Sequence, residues 1–146
     1  MNERIQIDVA EPLAYKAIFG LEDYMKQSGL SKAHYELIKI RASQLNGCAF
    51  CIDMHTKEAL KNGESQQRLF LLDAWQTAEV FSEEEQVILQ ITEEVTLIHR
   101  NGLTDETYKK AIEKFDEHYF SKIIMAISVI NVWNRVAIST HKPLWN

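Results

Sequence analysis

Cysteine is nearly absent from this 146-residue chain, which has two, and proline and glycine are sparse at two and five. Two cysteines are too few for the disulfide framework of a small secreted domain. So little proline and glycine excludes a collagen-like or linker-dominated chain. With 46% hydrophobic and 25% charged residues, the chain has enough apolar surface to fold rather than stay disordered. Positive charge is also short, with 16 Lys and Arg against 21 Asp and Glu and a net charge of −5. No basic field exists to hold phosphate backbones, so nucleic acid is not an expected partner. A long apolar run is missing too: the stretch 123–133 is interrupted by Ser128 and Asn131 and falls short of the roughly 20 residues that cross a bilayer, so no membrane span is expected. The first residues, from Met1 to Asp8, lack the apolar run and cleavage site of a secretory signal, and their acidic residues argue against a transit peptide. Cytoplasmic residence is the default expectation, and the length fits one domain over residues 1–146.

What punctuation there is falls at helical intervals. Gly29, Asn46-Gly47, Asn62-Gly63 and Asn101-Gly102 stand where helices can end in a left-handed residue. Pro12, Ser31, Ser82 with Glu85, and Thr104 before Asp105 and Glu106 stand where helices can start. Between them apolar residues recur at three and four, as in Val87, Ile88, Ile91, Val95 and Ile98, and in Tyr108, Ala111, Ile112 and Phe115. The β-branched run 123–130 has strand propensity, but residues 121–140 contain no breaker and are too long for one strand, so this segment is expected to be a helix covered on most sides. The pattern predicts a single-domain, all-α bundle of about six to seven helices. The apolar last helix is either the centre of the monomer or the face on which copies of the chain associate.

Chemistry concentrates in residues 36–55. Asn46-Gly47 ends one helix and the next begins near Cys48, so Cys48 and Cys51 fall in a first turn, where free backbone N–H groups and the helix dipole favour a thiolate. At a free-thiol pKa near 8.5 only about 3% is ionised at pH 7, and a drop of roughly two units, worth about 2.7 kcal/mol, makes thiolate the majority form. His55 lies four residues after Cys51, one turn along the same face, placed to act as its base or hydrogen-bond partner. Cys48 and Cys51 are close enough for a sulfenic acid on one to condense with the other, which makes them a redox pair. Glu36 is separated from the turn at Asn46 by ten residues of helix, about 15 Å, so a simple antiparallel hairpin does not set it beside Cys48. Base rates for Glu make it a solvated-face carboxylate.

The pattern Glu36-x11-Cys48-x2-Cys51-x3-His55 resembles the signature of the alkylhydroperoxidase D branch of the carboxymuconolactone decarboxylase family. The segment Asn131-x2-Asn134-Arg135 is similar to the family's C-terminal helix. The resemblance implies a thiol-dependent peroxidase that reduces organic hydroperoxides or hydrogen peroxide through a dithiol/disulfide cycle. It implies Cys51 as the attacking (peroxidatic) residue, Cys48 as the resolving one, and a proton relay through His55 and Glu36. An external dithiol or disulfide reductase would supply electrons, no metal or organic cofactor is needed, and trimers or hexamers of the helical unit are implied. Some members carry a second His immediately before the attacking cysteine, where this chain has Phe50. The name-giving decarboxylases lack the CxxC pair, so lactone decarboxylation is not expected.

Rival readings are a general disulfide oxidoreductase or a redox-sensing interaction protein without peroxidase turnover. Structural zinc requires four ligands, and no second Cys/His pair lies near Cys48, Cys51 and His55. Haem attachment fails because Ile52 follows Cys51, and no βαβ pattern supports a thioredoxin fold. His34, His99, His118 and His141 are expected at the surface or at caps, and Trp75, Trp133 and Trp145 in core or interface packing. The run Glu83-Glu84-Glu85 suits a helix N-terminus.

Overall fold

Ser31, Ser82 and Thr104 each accept a hydrogen bond from the backbone N–H three residues on. In the computed structural model, which describes residues 3–145, each of them opens a helix. The helices are α1 (Ile7–Ala10), α2 (Pro12–Gln27), α3 (Lys32–Asn46), α4 (Ala49–Lys61), α5 (Gln66–Leu71), α6 (Glu83–Thr96), α7 (Asp105–Lys114) and α8 (Glu117–Ser139), with a 3₁₀ turn at Leu72–Ala74. Among the described residues there is no strand, and the all-α expectation holds. The count exceeds six to seven because α1 and α5, of 4 and 6 residues, are too short to show a periodic stripe. Ser82 and Glu85 form the full capping box, and Pro12 sits in the first turn of α2, where its missing N–H costs nothing.

The β-branched run 123–130 is helical. Asp116 caps α8 by accepting from the Tyr119 N–H at 2.7 Å, so the helix starts earlier than its apolar stretch suggests and runs 23 residues. By length and composition alone α8 could cross a membrane. Here it is the core helix, packed against α2, α3, α4, α6 and α7. Ile123, Ile127 and Ile130 are fully buried against Ile38 of α3 and Ile88 and Ile91 of α6. Each such side chain contributes about 1.5–3 kcal/mol of burial. The last helix is therefore central within one chain.

Helix α3 is buried on two sides. Ile38 and Ala42 join that core, while Leu37 and Ile40 join a second one with Ala59, Leu69, Leu72 and Leu89. Such packing also takes polar residues inside. Arg41 is buried, and its guanidinium holds Glu93 at 2.9 and 3.0 Å, Asp73 at 2.8 Å and Gln44 at 3.0 Å. The Trp75 indole N–H donates to the same Glu93 oxygen at 2.7 Å. His34 departs from its expected surface role: it is half-buried and pairs with the Tyr119 hydroxyl at 2.6 Å, tying α3 to the start of α8.

Candidate redox site

Gly47 sets the position of both sulfurs. Its φ of 71° lies in the left-handed region that favours glycine, and it turns the chain between α3 and α4 while the Cys48 N–H donates back to the Ser43 carbonyl at 2.9 Å. A polar lattice holds this turn to α8. The Asn46 amide donates to the side-chain carbonyls of Asn131 and Asn134, both at 2.9 Å, and the fully buried Asn134 donates to the Ser43 hydroxyl at 3.0 Å. The Asn131-x2-Asn134 pair thus acts on the turn before Cys48.

Cys48 is the N-cap of α4, with Sγ accepting from the Cys51 N–H at 3.3 Å, and the two cysteines form a disulfide with their Cα atoms 5.3 Å apart. The first-turn expectation holds for both. The sulfurs are covered rather than open, with Cys48 1% and Cys51 2% exposed, packed against Ala137 of α8 and Phe50. Trp145 lies edge-on to Phe50 with ring centres 5.9 Å apart and is itself exposed, so it packs at the surface rather than in the core. Trp75 is core, and Trp133 packs edge-on to Tyr15 and Phe19.

His55 is buried on α4, one turn after Cys51. Its Nδ1 lies 3.0 Å from Oε2 of Glu58, which also approaches the Lys39 ammonium at 3.7 Å. Burial, and next the charge of Lys39, push the ring down to about 4 despite the Glu58 carboxylate, so it is neutral at pH 7. This shift predicts acid sensitivity. As pH falls below the ordinary value of 6.5, the unfolded chain binds a proton that the folded ring refuses until about pH 4, so stability complete above 6.5 is lost on the way down. The expected loss is about 3 kcal/mol. Urea midpoints of the parent chain and a His55→Gln variant should diverge as pH is lowered from neutral, the variant having the flatter profile. Parallel profiles would refute a neutral buried ring.

Glu36 corrects the solvated-face expectation. It is 5% exposed, because α3 is enclosed from two sides, and it accepts a hydrogen bond from the Asn62 amide at the far end of α4. As the hairpin geometry requires, that partner lies a helix length from Cys48. Glu36 is linked to His55 only indirectly, through an open cavity of about 640 Å³ whose wall includes Tyr35, Glu36, Lys39, Glu58 and Asn62. Sequence reasoning missed Glu58 and Lys39, although the three-residue step from His55 to Glu58 was a visible helical pairing signal. Among the described residues no cluster of three or more His, Cys, Asp or Glu side chains is arranged to hold a metal ion.

The family model described as "Carboxymuconolactone decarboxylase family" matches residues 12–94, which include the redox pair. The chain is 42% identical over 139 residues to the uncharacterized protein YdfG of Bacillus subtilis (strain 168), covering 95% of each. Among solved structures it is similar to ATU0492 of Agrobacterium tumefaciens, described as a protein of unknown function and a suggested antioxidant defence protein, AhpD. The identity is 38%, the TM-score 0.96, and the match covers 99% of both chains. The fold is also shared with an uncharacterized peroxidase-related protein of Ralstonia eutropha JMP134, described as an alkylhydroperoxidase AhpD core. There the TM-score is 0.83 at 16% identity, over 95% of this chain and 74% of that one. The helical bundle, the CxxC pair at the start of α4 and these matches together show that the chain belongs to the carboxymuconolactone decarboxylase family, in its alkylhydroperoxidase D-like branch.

Proposed function

We propose that this protein is a thiol-dependent peroxidase of the cytoplasm, reducing organic hydroperoxides or hydrogen peroxide through Cys51 and Cys48. The observation that carries the reading is the CxxC disulfide at a helix start with a buried, neutral imidazole one turn on. The antioxidant role suggested for the Agrobacterium relative supports it.

In the reduced state His55 takes the Cys51 proton, and the thiolate, also favoured by the first-turn N–H groups, attacks the outer peroxide oxygen. The O–O bond breaks, Cys51 becomes a sulfenic acid, and the departing alkoxide collects the proton held on His55 to leave as alcohol, or as water when the substrate is hydrogen peroxide. The Cys48 thiol then displaces the sulfenic hydroxyl as water and closes the disulfide. An external dithiol or disulfide reductase restores both thiols by exchange through a mixed disulfide. Glu36, on the cavity wall, serves as the outer member of the proton relay. Association as a trimer or hexamer fits the exposed Ile5, Val9, Leu13 and Phe70, apolar surface that a lone chain leaves wet.

The test is stoichiometric. Pre-reduced, metal-free protein mixed with cumene hydroperoxide should consume about one peroxide per chain and lose both titratable thiols together. No peroxide loss beyond a buffer control would end the peroxidase reading. Peroxide consumption without a change in assembly size distinguishes it from a redox sensor.

A further inference from the structure

The steps above leave Glu58 unused, although it touches the imidazole on which they depend. On the unbroken helix α4, Cys51, His55 and Glu58 follow one another at steps of four and three, in one column along one face. Helical side chains lean toward the N-terminus, so Glu58 leans over His55 and His55 over Cys51. The Glu58 Oε2 atom stands 3.0 Å from Nδ1. A carboxylate accepts hydrogen bonds and donates none, so the proton of a neutral ring there sits on Nδ1 and is given to Glu58. That leaves Nε2 with its lone pair bare.

The Glu58 side chain is about half exposed, and a second group, of opposite charge, faces it. Lys39 reaches across from α3 to the same oxygen at 3.7 Å, with its ammonium 4.5 Å from the centre of the Tyr35 ring. Burial opposes ionisation of Glu58, but the His55 hydrogen bond and the Lys39 charge outweigh it and hold the carboxyl below its ordinary range. The acceptor stays ionised where the ring needs it.

We propose that Glu58 is the positioning residue of the site, fixing His55 as the Nδ1–H tautomer so that Nε2 is free to take the Cys51 proton, with Lys39 holding the carboxylate in place. The tautomer assignment stands on the hydrogen bond alone. Its consequence for turnover rests on the peroxidase reading. When the proton moves from Cys51 Sγ to Nε2, the ring becomes a cation donating from both nitrogens, and the Nδ1–H···Glu58 bond becomes charge-assisted at that moment. A buried imidazolium, otherwise opposed by desolvation and by Lys39, thus gains a counter-charge in direct contact.

Two measurements on the full chain, reduced and carrying Cys48→Ser so that a single thiol remains, test this. Nitrogen-15 NMR of the imidazole should find Nδ1 protonated and Nε2 bare in the Glu58 protein, and should find that pattern lost in Glu58→Ala. Ultraviolet titration of the Cys51 thiolate should move upward by about one pH unit in Glu58→Ala, with partial return in Glu58→Asp. In a Cys48-containing chain, Glu58→Ala should slow peroxide consumption by about tenfold or more. An Nε2–H tautomer in the Glu58 protein, or an unmoved thiolate titration in Glu58→Ala, overturns the proposal. The expected tautomer and titration in a protein that leaves peroxide untouched would sink the peroxidase reading while upholding the role of Glu58.

Discussion

Replacing Cys51 by serine is expected to take peroxide consumption to the level of buffer, a loss on the order of a thousandfold or more, as removal of a covalent nucleophile gives elsewhere. A hydroxyl at this position cannot ionise near neutral pH and cannot accept the peroxide oxygen as a sulfenic acid does. Cys48→Ser is expected to behave differently, consuming about one peroxide and then stopping with a sulfenic acid on Cys51 that a dimedone-type probe captures. The pair of variants decides between two physical arguments. Cys48, as the cap of α4, lies nearest the helix dipole, which favours its ionisation. Cys51 has the imidazole one turn on, and a positioned base outweighs a partial charge that falls off within a turn. Peroxide consumption by Cys51→Ser at the parent rate would reverse the roles. Both sulfurs are buried, so urea midpoints of the two variants should accompany the rates and stay within about 1 kcal/mol of the parent with its disulfide reduced.

The largest expected stability effect lies away from the sulfurs. Arg41→Met should destabilise the chain by about 3 kcal/mol, because it leaves the partly buried Glu93 carboxylate with the Trp75 N–H as its remaining partner. For a domain of this size that corresponds to a fall of about 10 °C in Tm. Removing both charges in Arg41→Met/Glu93→Gln should recover much of the loss, since the cost is chiefly that of a partly desolvated carboxylate left without its cation. Thermal unfolding of the two variants checks this. A single variant within about 1 kcal/mol of the parent would show that solvent reaches the Glu93 carboxylate and hydrates it.

Local chemistry made much of the molecule legible before any coordinates. Ser31, Ser82 and Thr104 announce helix starts because capping is satisfied within four residues, and Gly47 announces the turn because few other residues tolerate its backbone. The CxxC pair and His55 were legible for the same reason, being neighbours on one helix. Glu36 and Arg41 were not. Arg41 is buried where α6 closes on α3, with Glu93 52 residues away, and Glu36 where α4 folds back to bring Asn62 against it, 26 residues on, contacts invisible to a periodicity whose charged positions read as solvent-facing. Asn134 was seen as part of a resemblance, but its work on Ser43 and Asn46 emerges only once α8 lies along the α3–α4 turn.

One atom in the turn has two duties. The Cys48 sulfur that closes the bridge is also the acceptor that satisfies the free amide of Cys51. Under the proposed cycle the helix keeps its cap: the ring-closed sulfur accepts that amide, and a sulfur released as an anion would be a stronger acceptor for it. The proposed chemistry and the anchorage of the α3–α4 turn would then meet at a single point, so the backbone beneath the reacting atoms would not have to be rebuilt at each turnover.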